Sequence, residues 1–208
     1  MTGTIMVVSR GIWSDDLAGW LRDQPSEYHV VRVRGLELIA QRNIAVAHLR
    51  GDWAFLIDAD CSPPDDVIPR MLAHHQGVVG GVIIEPRGDL DVCAIRTFEP
   101  TVRWRLDELP FDGLLPVLAC GTGCLLVRRE VFDAIGFPWF RCGRLVADFL
   151  AEDTEFCLRA AECGYPTYLD CSVRVGHAVR PILWPHPDGD VWIQWAGSPY
   201  RQPLEAVA

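Results

Sequence analysis

Apolar and polar residues follow one another in the first half of the chain in blocks typical of alternating strands and helices. Apolar runs over residues 4–8, 28–33 and 53–57 predict buried strands bounded by polar or glycine-containing turns. The segments 14–22 and 36–48, which lie between these strands, have apolar residues at helical spacing. Because strand and helix alternate, the pattern predicts a parallel sheet covered by helices.

The second half continues this pattern less regularly. Ser62 is a candidate N-cap for a helix over residues 62–75, with Pro63 in its first position. A strand is predicted next, and the stretch that follows it up to Gly113 reads as an excursion with short strands. Further strands and helices are predicted at residues 78–84, 114–123, 124–127, 129–135, 152–163 and 165–169. Residues 181–208, rich in Trp and Pro, are predicted to be irregular.

Together these elements predict one α/β domain with a mainly parallel, Rossmann-like central sheet, helices on both faces and a small antiparallel excursion. The composition agrees, because a chain of 208 residues that is 50% hydrophobic and has 8 Trp can bury a sizeable core. The net charge of −9 provides no general field for capturing polyanions, although a local basic groove is compatible with it.

The cysteines do not indicate a zinc site or a disulfide framework. The chain has 8 of them without a Cys-x-x-Cys pair, and several lie inside apolar runs as small hydrophobic residues would. The chain does not open with a basic-then-apolar leader, and its apolar stretches are shorter than the roughly 20 residues that cross a bilayer. We therefore expect a soluble protein without a membrane span in a reducing bacterial or phage-infected host cytoplasm.

Two aspartates follow the third predicted strand. Asp58 and Asp60 lie in the run Trp-Ala-Phe-Leu-Ile-Asp-Ala-Asp, so two carboxylates reach the turn where a buried strand meets water. Hard oxygen donors suit Mg²⁺ or Mn²⁺, which keep open positions for phosphate oxygens. An ordinary turn before a helix has similar residues. In a parallel sheet, Ser9 and Arg10 would emerge at the same edge as Asp58.

The helix predicted in the last third of the chain begins with acids. Asp153 lies on the same helical stripe as Phe156, Cys157 and Ala160, which predicts that its side chain faces inward. Partial burial beside a pocket gives a carboxylate the raised proton affinity and the fixed direction of a general base. Glu152 and Asp153 also suit the first turn of any helix, because acids there complement the helix dipole.

His177 and the pair Arg42-Asn43 are further polar candidates. The imidazole of His177 is either a satisfied half-buried group or a third ligand on an ion held by Asp58 and Asp60, since Mn²⁺ accepts mixed oxygen and nitrogen donors. Arg42-Asn43 is either a solvated helical pair or, if the helix points at the carboxyl edge of the sheet, a nucleotide contact.

The segment Gly121-Thr122-Gly123 follows an apolar strand and predicts a tight backbone passage where a ligand or another strand comes close. Its spacing matches neither the dinucleotide-binding nor the Walker pattern. Trp139, in Pro-Trp-Phe, is either a core residue or a stacking platform for a sugar or base.

These residues together resemble the family 2 glycosyltransferases of the GT-A fold, especially compact members found in phage and bacterial genomes. The similarity runs from residue 5 to residue 177 in three blocks. The first runs from Arg42-Asn43 through the aspartate run to Asp65-Asp66. The second is Gly-Thr-Gly-Cys-Leu-Leu-Val-Arg-Arg-Glu-Val-Phe with Pro-Trp-Phe, and the third runs from Glu-Asp-Thr-Glu-Phe-Cys through Gly-Tyr to Gly-His.

The resemblance implies one GT-A domain over residues 1–208, with a nucleotide-binding half (1–60), a metal, sugar and acceptor half (61–180) and a tail (181–208). It implies a nucleotide-diphosphate sugar as donor, with a UDP-sugar favoured, and a Mn²⁺ or Mg²⁺ ion under the diphosphate. One departure leaves the donor base open, because this chain has Val-Val-Arg-Val-Arg-Gly where family members often carry an acid that reads uracil.

The resemblance also implies residue roles. Asp60 holds the ion, Asp58 lies near the ribose or the ion, and His177 is a possible third ligand. Asp153 is the base that deprotonates the acceptor for direct displacement with inversion, and Glu152 is the alternative base. The implied donor and sugar contacts are Ser9, Arg10, Arg42, Asn43, Asp58, Gly121, Thr122, Gly123 and Trp139.

The sequence is also compatible with two other functions. One is a nucleotide-sugar-binding module that has lost turnover, and the other is a nucleotidyltransferase on a similar sheet. The joint presence of Asp58, Asp60, Asp153 and His177 favours an active glycosyltransferase. The acceptor could be a modified DNA base, a virion or cell protein, or an envelope glycan, and the pattern does not indicate an oligomeric state.

Overall fold

The computed structural model of the chain describes residues 2–9, 14–85, 91–144, 149–178, 181–185, 191–195 and 202–203. The helices are α1 (Asp15–Arg22), α2 (Leu38–Ala47), α3 (Val67–Ala73), α4 (Arg129–Ile135) and α5 (Glu152–Glu162), and a short 3-10 helix covers Leu106–Glu108. The strands are β1 (Gly3–Ser9), β2 (His29–Arg34), β3 (Trp53–Asp58), β4 (Cys61–Ser62), β5 (Val78–Val82), β6 (Asp91–Phe98), β7 (Thr101–Arg105), β8 (Leu114–Val117), β9 (Ala119–Cys120), β10 (Cys124–Arg128), β11 (Gly143–Arg144), β12 (Phe149–Leu150), β13 (Thr167–Arg174), β14 (Gly176–His177), β15 (Pro181–Pro185), β16 (Val191–Trp195) and β17 (Gln202–Pro203).

A seven-stranded sheet in the order β2-β1-β3-β10-β5-β13-β8 organises the molecule. Strands β2, β1, β3, β5 and β13 run in one direction, whereas β10 and β8 run against their neighbours. Strands β7, β6 and β9 form a separate antiparallel sheet, which is the predicted excursion. The predicted fold class is therefore confirmed.

Two apolar layers cover the opposite faces of this sheet. Helices α2, α4 and α5 contribute buried residues to one layer, and α1 and α3 contribute to the other. Strand β3 shows why both layers form, because Trp53, Phe55 and Ile57 point into one of them and Ala54 and Leu56 into the other. A strand buried on both faces reads as a continuous apolar run, which is how β3 appears in the sequence.

The structure corrects the predicted start of the third helix. Ser62 is not an N-cap: it lies in β4, which pairs with β14, and α3 begins at Val67 after Asp66. The two prolines that follow Ser62 explain the difference, because a residue before proline is pushed towards extended backbone. The Ser62 hydroxyl instead donates a hydrogen bond to the Asp16 carboxylate at 3.3 Å.

The last part of the chain also differs from the prediction of irregular structure. Strands β15, β16 and β17 form a three-stranded antiparallel sheet. Strand β13 likewise extends beyond the strand predicted at residues 165–169, since it continues to Arg174. Among the described residues, the helices are all too short or too polar to cross a membrane.

Candidate active site

The end of β3 positions the two aspartates predicted to face a ligand. Asp58 is the last residue of β3, and its backbone N–H donates to the Gly123 carbonyl at 3.4 Å. The N–H of Ala59 donates to the Val8 carbonyl of the neighbouring strand at 3.0 Å. The turn that holds Asp60 is therefore attached through its backbone to the strands on both sides of β3.

His177 reaches the same turn through the pairing of β14 with β4. Its Nε2 lies 3.8 Å from Asp60 Oδ2, and its Nδ1 lies 3.0 Å from the Ile84 carbonyl oxygen. The nearby Asp60 carboxylate raises the pKa of His177 to about 9, against the opposing effect of burial. When the imidazole is neutral, Nδ1–H donates to Ile84 and Nε2 is left to face Asp60, which is the arrangement found in metal-binding histidines.

A divalent ion fits between these side chains. Ligand atoms of Asp60, Cys61 and His177 all lie within 4.8 Å of one another. Carboxylate and imidazole donors suit Mn²⁺, whereas burial raises the pKa of the Cys61 thiol far above its usual range and keeps it neutral. Asp58 is outside this group of ligand atoms, so the structure brings together two of the three predicted metal ligands and adds a thiol that the pattern did not indicate.

Arg42 occupies the space between Asp58 and the start of α5. Its side chain is only 3% exposed, with Nη2 3.4 Å from Asp58 Oδ1 and Nη1 hydrogen-bonded to Glu152. The guanidinium carbon lies 5.9 Å from the centre of the Phe140 ring. Arg42 therefore connects two acids that are far apart in sequence. A contact to the donor, as predicted for Arg42, would have to use guanidinium N–H groups that do not face these acids.

Asp153 faces inward, as the helical stripe predicted, because Phe156, Cys157 and Ala160 on the same face of α5 are fully buried. Its Oδ1 accepts hydrogen bonds from the backbone N–H of Thr154 at 2.6 Å and from the Thr154 hydroxyl at 3.3 Å. Burial nevertheless raises the pKa of Asp153, although the Arg42 charge opposes this. A carboxyl group with raised proton affinity is suited to take a proton from a hydroxyl.

Two adjoining cavities of about 350 and 400 Å³ form one cleft between these groups. Both are lined by Asp58, Glu85, Cys93, Ala151, Asp153 and His177. The smaller cavity continues to Gly121, Thr122 and Gly123, and the larger to Arg42, Asp60 and Glu152. A Cβ on Gly123 would lie 2.9 Å from Ile83 Cδ1, so the backbone passage there is as tight as the glycines predicted.

Three predicted donor contacts are not brought into this cleft. The Asn43 amide is used by the backbone of Phe140, to which it donates at 2.7 Å and from which it accepts at 3.1 Å. Trp139 donates from Nε1 to the Phe132 carbonyl and packs edge-on against the Phe132 ring. Ser9 is buried, and its backbone N–H and carbonyl are bound by the Gln41 amide. The prediction for Arg10 lies outside the described residues.

The cleft also has lining residues that the sequence pattern did not single out. Glu85 and Arg103 form an ion pair with Oε1 and Nη2 3.2 Å apart, next to Cys93. Arg103 is the middle residue of β7, an edge strand of the antiparallel excursion. A single charged residue in a short strand has no local signal for a site, because its neighbours in the cleft come from distant parts of the chain.

Comparison with known proteins agrees with the fold. The family model "Glycosyl transferase family 2" matches residues 14–136. The curated protein sequences contain no match to the chain. The solved structure of A197 from STIV is similar with a TM-score of 0.60 and 22% identity, over 92% of this chain and 93% of that one.

A second similar structure is GalNAc-T7 with UDP, GalNAc and Mn²⁺, with a TM-score of 0.52 and 17% identity. The similarity covers 82% of this chain and 37% of that protein. At such identities the likeness concerns the fold, which is that of the GT-A glycosyltransferases. The family match covers Asp58, Asp60 and the Gly121–Gly123 segment, whereas Asp153 and His177 lie beyond its end.

Proposed function

The chain belongs to glycosyl transferase family 2, and from this membership we propose that it is a metal-dependent, inverting glycosyltransferase. It transfers a sugar from a nucleotide-diphosphate donor to an acceptor hydroxyl, with Asp153 as the base. One observation carries the proposal: the larger cavity is lined both by Asp60 and His177, on one side, and by Asp153 on α5. A leaving-group site and a base that face one cleft are what direct displacement requires.

Asp60 and His177 are the residues proposed to hold Mn²⁺ or Mg²⁺. A bound divalent ion would supply positive charge for the diphosphate as it leaves. Asp58 is proposed to lie near the ribose of the donor, since Arg42 already faces one of its carboxylate oxygens. The positive charge of Arg42 also offsets the negative charges of Asp58 and Glu152, which reduces the electrostatic repulsion of a diphosphate in the larger cavity.

Asp153 is proposed to accept the proton of the acceptor hydroxyl. The acceptor oxygen attacks the anomeric carbon opposite the diphosphate, the bond from that carbon to the phosphate oxygen breaks, and its electron pair goes to the diphosphate. The acceptor proton moves to the Asp153 carboxylate, whose raised pKa favours this transfer. Glu152 is a weaker candidate for the base because Arg42 binds its carboxylate.

The donor is proposed to be a UDP-sugar, in line with the family and with the UDP and Mn²⁺ named for the similar GalNAc-T7 structure. We propose that the protein acts in the reducing cytoplasm, which fits its cysteines: all of them lie in described segments and all are free thiols.

Calorimetric titration tests the proposal without knowledge of the acceptor. The purified protein is titrated with nucleoside diphosphates and nucleotide sugars in the presence and absence of Mn²⁺. We expect Mn²⁺-dependent binding that is lost in Asp60→Ala and retained in Asp153→Asn, because only Asp60 lies at the proposed ion. Absence of binding to all nucleotides would contradict the proposal, and equal loss in both variants would contradict the separate roles.

Sugar transfer is measured directly once an acceptor is found. Until then, hydrolysis of the nucleotide-sugar donor, in which water takes the place of the acceptor, is the readout. Asp153→Asn is expected to abolish transfer while it leaves donor affinity nearly unchanged. A variant that binds the donor and still transfers sugar at the wild-type rate would exclude Asp153 as the base. Wild-type protein that binds donors tightly but turns over none would instead indicate the non-catalytic binding module.

A further inference from the structure

The smaller cavity contains a buried polar atom with nothing to bind. Thr122 is 1% exposed, lines this cavity, and its hydroxyl has no hydrogen-bond partner in the described part of the structure. A buried hydroxyl without a partner costs about 1–3 kcal/mol, so a ligand that pairs with it gains affinity. Asp153 lines the same cavity, and a Cβ on the adjacent Gly121 would lie 3.8 Å from Asp153 Oδ2. A ligand beside Thr122 therefore also reaches the proposed base.

The ion pair of Glu85 and Arg103 lines this cavity together with Thr122 and Asp153. The Glu85 N–H donates to the Asp91 carbonyl at 2.8 Å, and the Gly121 N–H donates to the Cys93 carbonyl at 2.8 Å. These backbone bonds attach the antiparallel excursion to the glycine segment. Glu85 is thus attached to the start of β6, and Arg103 is positioned by the pairing of β7 with β6. The side-chain exposures are 22% for Glu85 and 38% for Arg103.

Acidic side chains outnumber arginine and lysine side chains around the cavity. Among its described lining residues Arg103 is the only arginine or lysine, and it already faces Glu85 at 3.2 Å, whereas Asp58 and Asp153 are further acids. A carboxylate on the ligand would therefore meet Glu85 and Asp153 without an unpaired arginine or lysine to receive it. Uncharged hydroxyls meet better partners, because Glu85 keeps acceptor capacity, Arg103 keeps N–H donors, and the Thr122 hydroxyl does both.

On the basis of the proposed function, we infer that the Glu85–Arg103 pair selects the transferred sugar, favouring a neutral sugar with neighbouring hydroxyls over one that carries a carboxylate. Glu85 accepts from one hydroxyl and Arg103 donates to the next, as an ion pair does when its remaining donors and acceptors point at a diol. Discrimination arises from repulsion of the wrong ligand as much as from attraction of the right one.

UDP-glucose and UDP-glucuronate provide a matched test, because they differ only by a hydroxymethyl group against a carboxylate. If the nucleotide panel identifies another base, the corresponding pair of that nucleotide replaces them. We expect the wild-type protein to bind the glucose donor at least about tenfold more tightly, as like charges across a recognition site cost affinity. Glu85→Gln should shift this ratio by about tenfold towards the glucuronate donor, because the repulsive charge is lost and Arg103 becomes available.

The control variant is Glu108→Gln. Glu108 also belongs to the excursion and pairs with an arginine, Arg96, at 3.6 Å, but it lies outside both cavities. It should leave the ratio of the two affinities unchanged. Arg103→Gln is the second variant. It should weaken binding of UDP-glucose about tenfold without shifting the ratio towards UDP-glucuronate, because an N–H donor to a sugar hydroxyl is lost while the Glu85 charge remains.

Binding of free UDP distinguishes failure of the inference about the Glu85–Arg103 pair from failure of the proposed function. Binding of UDP with Mn²⁺ by wild type and by all variants, together with the shifted ratio in Glu85→Gln, supports the inference. Intact UDP binding with an unchanged ratio, or with the same shift in Glu108→Gln, overturns the inference and leaves the proposed function standing. Loss of nucleotide binding by the wild-type protein overturns both. If Glu85→Gln fails to fold, Arg103→Gln decides: UDP-glucose binding weakened about tenfold with UDP binding intact supports the inference, and unchanged UDP-glucose binding overturns it.

Discussion

Replacement of Arg42 by methionine is predicted to destabilise the fold. The arginine joins α2 to the end of β3 and to the start of α5 through Asp58 and Glu152, and methionine retains the apolar stem without the charge. Both acids would lose their common cation inside the protein. The start of α5 also holds Asp153, so the same change should disturb the proposed base.

The magnitude follows from burial. Removal of one partner from a fully buried ion pair costs about 3–5 kcal/mol. The carboxylate side chains keep some access to water, 32% for Asp58 and 15% for Glu152, which reduces the cost. Arg42 Nε is buried and has no partner in the described residues, so methionine removes a penalty of about 1 kcal/mol or more. We expect a net loss of about 2–3 kcal/mol in the free energy of unfolding.

Urea denaturation at pH 7 measures this loss. The double variant Arg42→Met/Glu152→Gln should recover about 1 kcal/mol or more, because Glu152 is the less exposed of the two acids and the variant removes its charge. Arg105→Met is the control, since Arg105 pairs with Asp107 on the surface and its loss should leave the unfolding curve unchanged. A loss below about 1 kcal/mol in Arg42→Met, or no recovery in the double variant, would show that Arg42 does not stabilise the fold through these two acids.

Three more predictions concern single residues. Burial raises the pKa of Asp153, so the stability that this group contributes is present in acid and is lost as the pH rises through its pKa in the folded protein. At pH 7 the Asp153→Asn variant should therefore unfold at a higher urea concentration than the wild type, and the difference should disappear near pH 4. Burial alone would raise the pKa of Asp170, but hydrogen bonds from Ser172 and His74 outweigh burial and lower this pKa. Asp170→Asn should thus lose about 1–3 kcal/mol at pH 7 and progressively less as the pH falls through the folded pKa, and a constant gap would contradict this. In Gly121→Ala the new Cβ would lie 3.4 Å from Cys93 Cβ, an ordinary contact, so the melting temperature should stay unchanged. Sugar transfer should slow at least about tenfold, because the added methyl group displaces the sugar in the cleft. An unchanged transfer rate would exclude this position from the sugar site.

Local pattern was sufficient for the elements and for those site residues whose position depends on one element. Asp58 could be placed because a buried strand ends there, and Asp153 because its helical stripe is apolar. The pattern failed for Ser62, whose extended backbone depends on pairing with Gly176, more than a hundred residues later in the chain. The pattern also did not indicate the partner of Asn43, whose amide is bonded to the Phe140 backbone.

The spacing of apolar residues was enough to predict the α/β architecture, the strand that ends in the two aspartates, and the inward direction of the acid on α5. Which side chains meet follows from the packing of the elements, which brings together Arg42 with Glu152, His177 with Asp60, and Glu85 with Arg103. The reason is physical. Strand and helix formation depend on the spacing of apolar residues along the chain, whereas contacts between side chains depend on how those elements pack, which no short segment of sequence encodes.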